Sequence, residues 1–396
     1  MRARCVHLDG PVPDPYEADT RFDSPRRSLA GWGVATVIEL PAPWPDHIDL
    51  VDAALSSIVT HDEVRAPATG PLAFGALPFD RGAAATLVVP AVVVGSTPDG
   101  ARWITTIDDA SIPAAGRREP VAAATRVAVH LDQSVEQWCD TVAEATKRIA
   151  AGELTKVVLA RRQTLTADTP FDLHGIVSRL GAAHPHSLRW SIDGFCGASP
   201  ELLVSRFDDI VRAHPMAGTT PRTGDPSTDQ RRAADLLASD KNRDEHQITI
   251  DMVHDTLLGW CSYLDAEPEP QVVEAGSVQH LATMVEGRLS HPAPNVLELV
   301  AALHPTPAVG GWPRDEALRL IAELEPVPRG RYAGPVGWVD RSGNGAFAVG
   351  IRSVSVAGLT AELWAGVGVV SDSDPLAELE ETRAKFAATI GHLIRL

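Results

Sequence analysis

The sequence has little of several features that define other protein classes. Its four cysteines, Cys5, Cys139, Cys196 and Cys261, are scattered singly, so neither a disulfide framework nor a cysteine-based metal site is expected. No apolar run reaches the roughly 20 residues of a membrane-spanning helix. The N-terminus lacks the apolar core of a secretory signal. We therefore predict a cytoplasmic protein with reduced thiols and no membrane contact.

Basic residues are also scarce. Lysine and arginine total 35 against 52 acidic residues, which gives a formal net charge of −17. Nucleic acids and anionic membranes bind basic surfaces, so neither is an expected partner. The composition, 44% hydrophobic and 22% charged, is that of a globular chain long enough for one large domain or two.

Lysine is rare even among the basic residues, since only Lys147, Lys156, Lys241 and Lys385 occur. Arginine can serve wherever only positive charge is needed, whereas lysine can lose its proton near neutral pH. Chance codon usage would leave a similar pattern. The scarcity therefore only marks these four positions for closer attention.

Apolar periodicity predicts strands and helices in a mixed order without βαβ alternation. The predicted strands are residues 32–40, 72–79, 85–95, 103–107, 187–192, 195–207, 283–289, 332–340, 346–356 and 359–370. The predicted helices are residues 134–152, 170–180, 231–237, 239–253, 296–303, 314–324 and a last one from residue 375. This order indicates an α+β fold with a largely antiparallel sheet.

Two polar segments separate these elements. Residues 113–120, rich in Pro, Gly and Arg, predict an exposed linker between a strand-rich part, 1–120, and the remainder, 121–396. Residues 223–230 are polar and are predicted to be mobile. The first part contains no catalytic motif, and we expect both parts to belong to one large domain.

The last predicted helix begins at Pro375, where a missing N–H costs nothing. Glu378 and Glu381 are three residues apart and share one face near its start. A single acid there would simply complement the helix dipole. Two carboxylates on one face, directly after a glycine-containing strand, can also form half of a site for a hard cation.

Three other charged residues have both a structural and a functional interpretation. Lys156 begins a β-rich run, Glu201 follows Ser-Pro within a predicted strand, and Glu245 lies early in a helix. In the structural interpretation, Lys156 is a surface lysine, Glu201 is a loop glutamate that faces water, and Glu245 forms a solvated ion pair with its basic neighbours. A buried, unpaired Glu201 would instead keep its proton and suit a general acid. The small residues of 214–222 form a turn whose N–H groups could bind a carboxylate.

Several separated motifs together resemble one family. They are KVVLAR from residue 156, SPELL from 199, MAGT from 216, EH from 245, SVQHL from 277, HPTPAVGG from 304, RYAG from 331, AGVG from 365 and ELEETRAK from 378. In this order they resemble the chorismate-utilising enzymes, and within that family the isochorismate synthases. The resemblance covers about residues 125–396, and the first third is similar only in its richness in strands.

The resemblance implies that family's α+β fold, a large mainly antiparallel sheet flanked by helices, in a monomer that binds chorismate and Mg²⁺. Glu245 and Glu381 resemble the direct metal ligands, and Glu378 a further acid that acts through water. Mg²⁺ uses few carboxylates together with a substrate anion, and its charge would let an acidic chain bind a dianion. Residues that resemble the family's substrate contacts are Gly218, Thr219, Tyr332, Arg352, Gly366, Gly368 and Lys385, and His280 and His304 lie in matching motifs.

The resemblance also implies a reaction. Lys156 resembles a general base that draws a proton from the water attacking ring carbon 2. Glu201 resembles the general acid that protonates the hydroxyl leaving carbon 4 while the double bonds shift. The lysine must therefore be neutral and the glutamate protonated near neutral pH, which burial and neighbouring charges would have to favour.

Two positions discriminate between the reactions of the family. Lysine at 156 with alanine at 217 resembles the pattern of family members that use water rather than ammonia as the nucleophile. Among the aminating relatives, anthranilate synthases usually lack the lysine at the position of Lys156, and aminodeoxychorismate synthases have a lysine at the position of Ala217. Salicylate synthases share this pattern, but the motif from His304 resembles the isochorismate synthase version. We favour an isochorismate synthase, with a salicylate synthase as the alternative and a non-catalytic or cation-binding protein third.

Overall fold

A computed structural model describes residues 1–10, 13–111, 124–276 and 278–393. The predicted linker 113–120 and Ser277 of the SVQHL motif lie outside the described residues. Across the described helices, none is both long and apolar enough to cross a membrane. The cytoplasmic location and the monomeric state expected from the sequence stay predictions.

The described chain forms eight α-helices and 25 strands. The helices are α1 (Asp49–Ser56), α2 (Val135–Ala150), α3 (Leu173–Ala183), α4 (Pro226–Ala238), α5 (Asp240–Leu258), α6 (Val296–Leu303), α7 (Arg314–Leu324) and α8 (Pro375–Leu393). The strands of the first third are β1 (Arg2–His7), β2 (Thr20–Ser24), β3 (Arg27–Trp32), β4 (Thr36–Leu40), β5 (Val59–Asp62), β6 (Leu72–Ala76), β7 (Ala85–Val89), β8 (Val92–Ser96) and β9 (Arg102–Ile107). The later strands are β10 (Val127–Leu131), β11 (Lys156–Ala167), β12 (Leu188–Ile192), β13 (Phe195–Ser199), β14 (Leu202–Phe207), β15 (Ile210–His214), β16 (Met216–Pro221), β17 (Cys261–Ala266), β18 (Gln271–Ala275), β19 (Val278–Ala282), β20 (Val285–Leu289), β21 (Gly311–Trp312), β22 (Pro335–Asp340), β23 (Gly345–Val349), β24 (Ser353–Ala357) and β25 (Thr360–Val369).

Most strands belong to two large sheets. The first has the order β10-β11-β25-β24-β13-β12-β2-β3-β8-β9-β1-β5, with β21 also paired to β11. The second has the order β17-β20-β15-β14-β23-β22-β6-β7-β4, and β16-β19-β18 form a small third sheet. Of the pairings between described strands, only β1 with β5 is parallel. The predicted α+β fold with mainly antiparallel sheets is confirmed.

Two runs that contain site candidates and were predicted as single strands pass between the first sheet and the second. Residues 195–207 are β13 and β14, separated at Pro200 and Glu201. Residues 346–356 are β23 and β24, with Arg352 in the connection. Apolar periodicity cannot detect such a crossing, because both halves are extended and buried. Both crossings place a functional candidate between the sheets.

Further predictions need correction. Residues 32–40 contain the last residue of β3 and the whole of β4, which lie in different sheets, and the predicted turn 214–222 contains strand β16. Residues 85–95 are β7 and β8 in different sheets, separated at Pro90, which has no N–H to donate to a ladder. Residues 223–230, predicted to be mobile, contain the first turn of α4. The Asp225 side chain caps this helix and Pro226 occupies its first position, two features that stabilise a helix start.

Strands from the first 120 residues extend both large sheets, since β2 pairs with β12 and β6 pairs with β22. The sheets also share a buried aromatic cluster. Phe22 and Trp190 come from the first sheet, and Phe74 and Trp338 come from the second. Such large side chains dominate the burial of apolar surface, so the N-terminal strands help to fix the relative position of the two sheets.

Candidate active site

A cavity of about 330 Å³ opens between the edge of the first sheet, the small third sheet and helices α5 and α8. It collects most of the residues selected from the sequence. Those that line it are Lys156, Glu201, Gly218, Thr219, Glu245, His280, Tyr332, Arg352, Gly366, Gly368, Glu381 and Lys385. Glu378 and His304 are not among the lining residues.

Lys156 begins β11, and its side chain is only 4% exposed. Its Nζ lies 2.5 Å from Oε1 of Glu245 on α5. Burial is the largest single influence and acts to raise the pKa of Glu245, but the charge and hydrogen bond of Lys156, together with smaller contributions from the Gly218 backbone and Lys241, lower the pKa overall. On the adjacent strand, a Cβ at Gly368 would come within 2.9 Å of Lys156 Cε. Glycine at 368 therefore leaves the space that the lysine occupies, and the surface interpretation of Lys156 is wrong.

Glu201 lies in the connection between β13 and β14 and is 3% exposed. Within the described parts of the chain, no basic side chain forms an ion pair with it. Burial raises its pKa to about 8, although a backbone hydrogen bond from Met216 and the charge of Lys156 act in the opposite direction. Glu201 is therefore mostly protonated at neutral pH, as a general acid must be.

Arg352 lies in the connection between β23 and β24 with a positive φ of 53°, a backbone conformation that is uncommon for residues other than glycine. Burial lowers its pKa to about 10, so it stays charged at neutral pH. No acidic side chain among the described residues forms an ion pair with Arg352. A buried guanidinium without an anionic partner, at the wall of a cavity, favours an anionic ligand.

His280 on β19 orients Arg352. Arg352 Nη2 lies 2.9 Å from His280 Nε2, and because a guanidinium can only donate, Nε2 accepts. The imidazole proton is then on Nδ1, which lies 3.2 Å from the carbonyl oxygen of Gly218 and 3.1 Å from Oγ1 of Thr219. Burial lowers the pKa of His280 to about 3, and the charges of Arg352 and Lys385 act in the same direction. His280 is therefore a neutral acceptor at physiological pH.

Helix α8 brings a second lysine to the cavity. Lys385 Nζ lies 2.7 Å from Oε1 of Glu381 and donates to the carbonyl oxygen of Gly366 at 2.6 Å. The ring of Tyr332 stacks on Trp364 with centroids 5.6 Å apart. Burial raises the pKa of Tyr332 to about 12, so its hydroxyl remains protonated. These groups add a cation and a neutral hydrogen-bond donor to the cavity wall.

Two of the three predicted metal ligands line the cavity. Glu245 and Glu381 both line the cavity, and carboxylate oxygens are the donors that Mg²⁺ prefers. Burial raises the pKa of Glu378, whose carboxylate shares a hydrogen bond with Ser373. Within the described ranges, no group of three or more His, Cys, Asp or Glu side chains could hold a metal ion. The chemistry of Glu245 and Glu381 fits Mg²⁺, whereas Glu378 does not line the cavity.

His304 is buried away from the cavity. Its Nε2 lies 2.9 Å from the carbonyl oxygen of Phe79, and burial lowers its pKa to about 3. Ala308 and Val309 of the same motif do line the cavity. This motif therefore presents small apolar residues to the cavity, whereas the His304 side chain binds the backbone of Phe79.

Some lining residues were not selected from the sequence. They include Leu180 and His184 at the end of α3 and Ala388 and Thr389 on α8. Thr389 follows Lys385 by four residues, and this helical spacing would have placed it on the same face. Leu180 belongs to an apolar helix stripe, which by itself indicates only core packing.

Comparisons with known proteins show which family this chain resembles. Residues 102–394 match the family model described as "Chorismate binding enzyme". The chain is 35% identical over 376 residues to isochorismate synthase DhbC of Bacillus subtilis, covering 92% of this chain and 90% of that protein. It is 40% identical over 339 residues to the putative isochorismate synthase MenF of Mycobacterium tuberculosis, covering 81% and 86%.

A solved structure shows the same fold. It is a putative 2,3-dihydroxybenzoate-specific isochorismate synthase, DhbC from Bacillus anthracis. The TM-score is 0.82 and the sequence identity 31%, and the match covers 96% of each chain. The similarity therefore includes the strand-rich first third, which the sequence motifs did not reach.

Proposed function

Because this chain belongs to the chorismate-binding enzyme family, we propose that it is an isochorismate synthase, an isomerase that converts chorismate to isochorismate. One observation carries the proposal: a buried lysine and a buried, protonated glutamate, Lys156 and Glu201, line one cavity. The relatives named as isochorismate synthases match over most of both chains and support the same reaction.

Chorismate carries two carboxylates, and the cavity offers them positive charge. Arg352 is held by His280 and lacks an acidic partner among the described residues. Lys385 adds a second cation, and Gly218 and Thr219 also line the cavity. Charge-assisted hydrogen bonds to carboxylates are stronger than neutral ones. These groups would bind and orient the substrate without taking part in proton transfer.

The chemistry requires two proton movements. Lys156, once it has lost its proton, takes a proton from a water molecule, and the hydroxide forms a bond to ring carbon 2. The double bonds shift, and the bond from carbon 4 to its hydroxyl breaks as Glu201 donates its proton, so that water leaves. Lys156 then carries an extra proton and Glu201 lacks one. Proton exchange with solvent restores both groups, and the overall reaction consumes and releases one water.

We further propose Mg²⁺ as the cofactor. Glu245 and Glu381 are the residues that would hold it, and Glu378 would contribute only through water. When bound, the ion supplies positive charge that neutralises a substrate carboxylate in a chain of net charge −17.

The test is to incubate the purified protein with chorismate and Mg²⁺ and identify the products by NMR. Isochorismate alone would support the proposal. Salicylate with pyruvate would identify a salicylate synthase, and saturable chorismate binding without conversion would identify a binding protein. A parallel incubation with a chelator tests the metal requirement, since conversion should stop and return when Mg²⁺ is restored.

A further inference from the structure

The strand that carries Lys156 has a gap along one edge. Strand β11 pairs with β25 along its other edge from residue 157 to residue 166. On the gapped edge, β21 pairs only with residues 156 and 157, and β10 pairs only with residues 163–167. The backbone groups of the intervening residues that point away from β25 need other partners, because buried N–H and C=O groups are costly when unpaired.

The carbonyl oxygen of Gly310 accepts from the N–H of Val158 at 2.9 Å, and one buried ion pair binds two further backbone groups of this gap. Arg329 Nη2 donates to the carbonyl oxygen of Val158 at 2.6 Å. Glu325 Oε1 accepts from the N–H of Ala160 at 2.8 Å. The two side chains contact each other at 2.5 Å and are 1% and 4% exposed. Together they bind the strand edge as a neighbouring strand would, with one acceptor and one donor.

The same guanidinium also holds a second wall of the cavity. Arg329 Nη1 donates to the carbonyl oxygen of Val309 at 2.8 Å, and the ring of Phe79 lies 4.3 Å from the guanidinium carbon. Val158 and Val309 both line the cavity, whereas Arg329 and Glu325 do not. The ion pair therefore connects two walls of the cavity from behind.

We propose that Arg329 and Glu325 are positioning residues that fix strand β11 so that Lys156 meets the substrate at the correct place, an inference that rests on the proposed function. A buried ion pair is seldom the most stabilising choice for a core. A planar guanidinium can bind Val158, Val309 and a carboxylate at once, which a lysine cannot. A displacement of about 1 Å at a reacting group can reduce a rate roughly a hundredfold, so such rigidity has a direct consequence for turnover.

The experiment compares Arg329→Met with Arg21→Met. Arg21 forms a similarly buried ion pair with Asp23, at 2.6 Å and with side chains 7% and 3% exposed, on strand β2. Both variants should lower Tm. Only Arg329→Met should lower kcat, by roughly tenfold to a hundredfold, with the KM for chorismate changed less than about twofold.

A milder variant covers the case in which Arg329→Met does not fold. Arg329→Lys keeps the charge but loses the planar fork, so kcat should fall less than in Arg329→Met, again without a matching change in KM. Equal losses of kcat in Arg21→Met and either Arg329 variant would overturn the proposal, because loss of stability alone would then explain them. An Arg329→Lys enzyme with wild-type kcat would also overturn it.

Amide hydrogen exchange gives a readout that does not depend on activity. In Glu325→Ala, the Ala160 N–H loses its acceptor and should exchange faster than in the wild type, while residues 163–167, which β10 covers, should not. Unchanged exchange at Ala160 would contradict the positioning role but not the proposed function. A wild-type protein that binds but does not convert chorismate would instead contradict the proposed function.

Discussion

Lys156 and Glu201 are each 3% exposed, but only Lys156 is in contact with a side chain of opposite charge among the described residues. Lys156 lies 2.5 Å from the carboxylate of Glu245, which compensates its charge. Glu201 has no such partner among the described residues, and its pKa rises to about 8. For Glu201, burial therefore decides the protonation state, because no opposite charge is in contact with its carboxyl group. The cavity holds an ion pair and a neutral acid side by side, and Lys156 must give up its proton before it can act as the proposed base.

The strongest way to break this comparison is to remove its paired member. Lys156→Ala deletes the proposed base and leaves Glu245 without its cation, so kcat should fall roughly a thousandfold. Chorismate binding, measured by calorimetry, should be largely kept. Lys147→Ala is the matched control, because Lys147 is an exposed lysine paired with Glu144 on α2. Normal turnover by Lys156→Ala would show that the base is assigned wrongly.

Removing the unpaired member tests the other half. Glu201→Gln keeps the shape of the side chain but cannot donate an acidic proton, so kcat should fall roughly a hundredfold or more. Steady-state kinetics with isochorismate detection measures this loss. Glu323→Gln, at an exposed glutamate on α7, should leave kcat unchanged. A Glu201→Gln enzyme as active as this control would rule out Glu201 as the acid.

Arg352 extends the comparison to a buried cation that has no acidic partner in the described part of the chain. Arg352→Met should raise the KM for chorismate roughly tenfold to a hundredfold, because hydrogen bonds to charged groups are worth about 1.5–3 kcal/mol. The control is Arg331→Met, since Arg331 contacts Asp193 and does not line the cavity. An unchanged KM in Arg352→Met would mean that the guanidinium does not bind the substrate.

Two glycines of β25 test whether the space around Lys156 matters for turnover. The Cβ of Gly368→Ala would lie 2.9 Å from Lys156 Cε, whereas that of Gly366→Ala would lie 3.1 Å from the Tyr332 hydroxyl. Gly368→Ala should displace the base and lower kcat roughly tenfold, and Gly366→Ala should lower it less. A smaller loss in Gly368→Ala than in Gly366→Ala would contradict this order.

The smallest expected effect is on stability. The pKa of Glu201 rises from an ordinary 4.5 to about 8 on folding, so between these values the native state binds more protons than the unfolded state. The free energy of unfolding should therefore decrease as the pH rises from about 4.5 to about 8. Glu201→Gln lacks this dependence. Urea unfolding at pH 5.5 and pH 8 should show the wild type losing at least about 1 kcal/mol relative to the variant, and parallel pH profiles would contradict the raised pKa.

The sequence was enough to predict the bounds of an element where neighbouring residues determine them. Helices α6 and α7 have the predicted bounds, since Asn295 forms a capping box and Pro313 precedes the first turn of α7. The crossings at Glu201 and Arg352 were missed because the choice of sheet depends on distant strands. Apolar periodicity is the same on both sides of each crossing.

The candidate site came from motif resemblance, and its internal contacts did not. No local pattern indicates that Glu245 contacts Lys156 across 89 residues of sequence, or that Arg329 fills the edge of β11. His304 belongs to a matching motif but binds the backbone of Phe79. Motifs can select residues, but whether a side chain points into the cavity or behind it depends on tertiary packing.

The most direct measurement is the titration of the Glu201 carboxyl by NMR, in protein labelled with ¹³C at glutamate side chains and compared with Glu201→Gln. We predict one glutamate signal that disappears in the variant and titrates near pH 8, so that Glu201 is protonated at pH 7. If that signal titrated near the ordinary glutamate pKa of 4.5, Glu201 would be ionised at neutral pH. It could not then donate the proton that the proposed reaction requires.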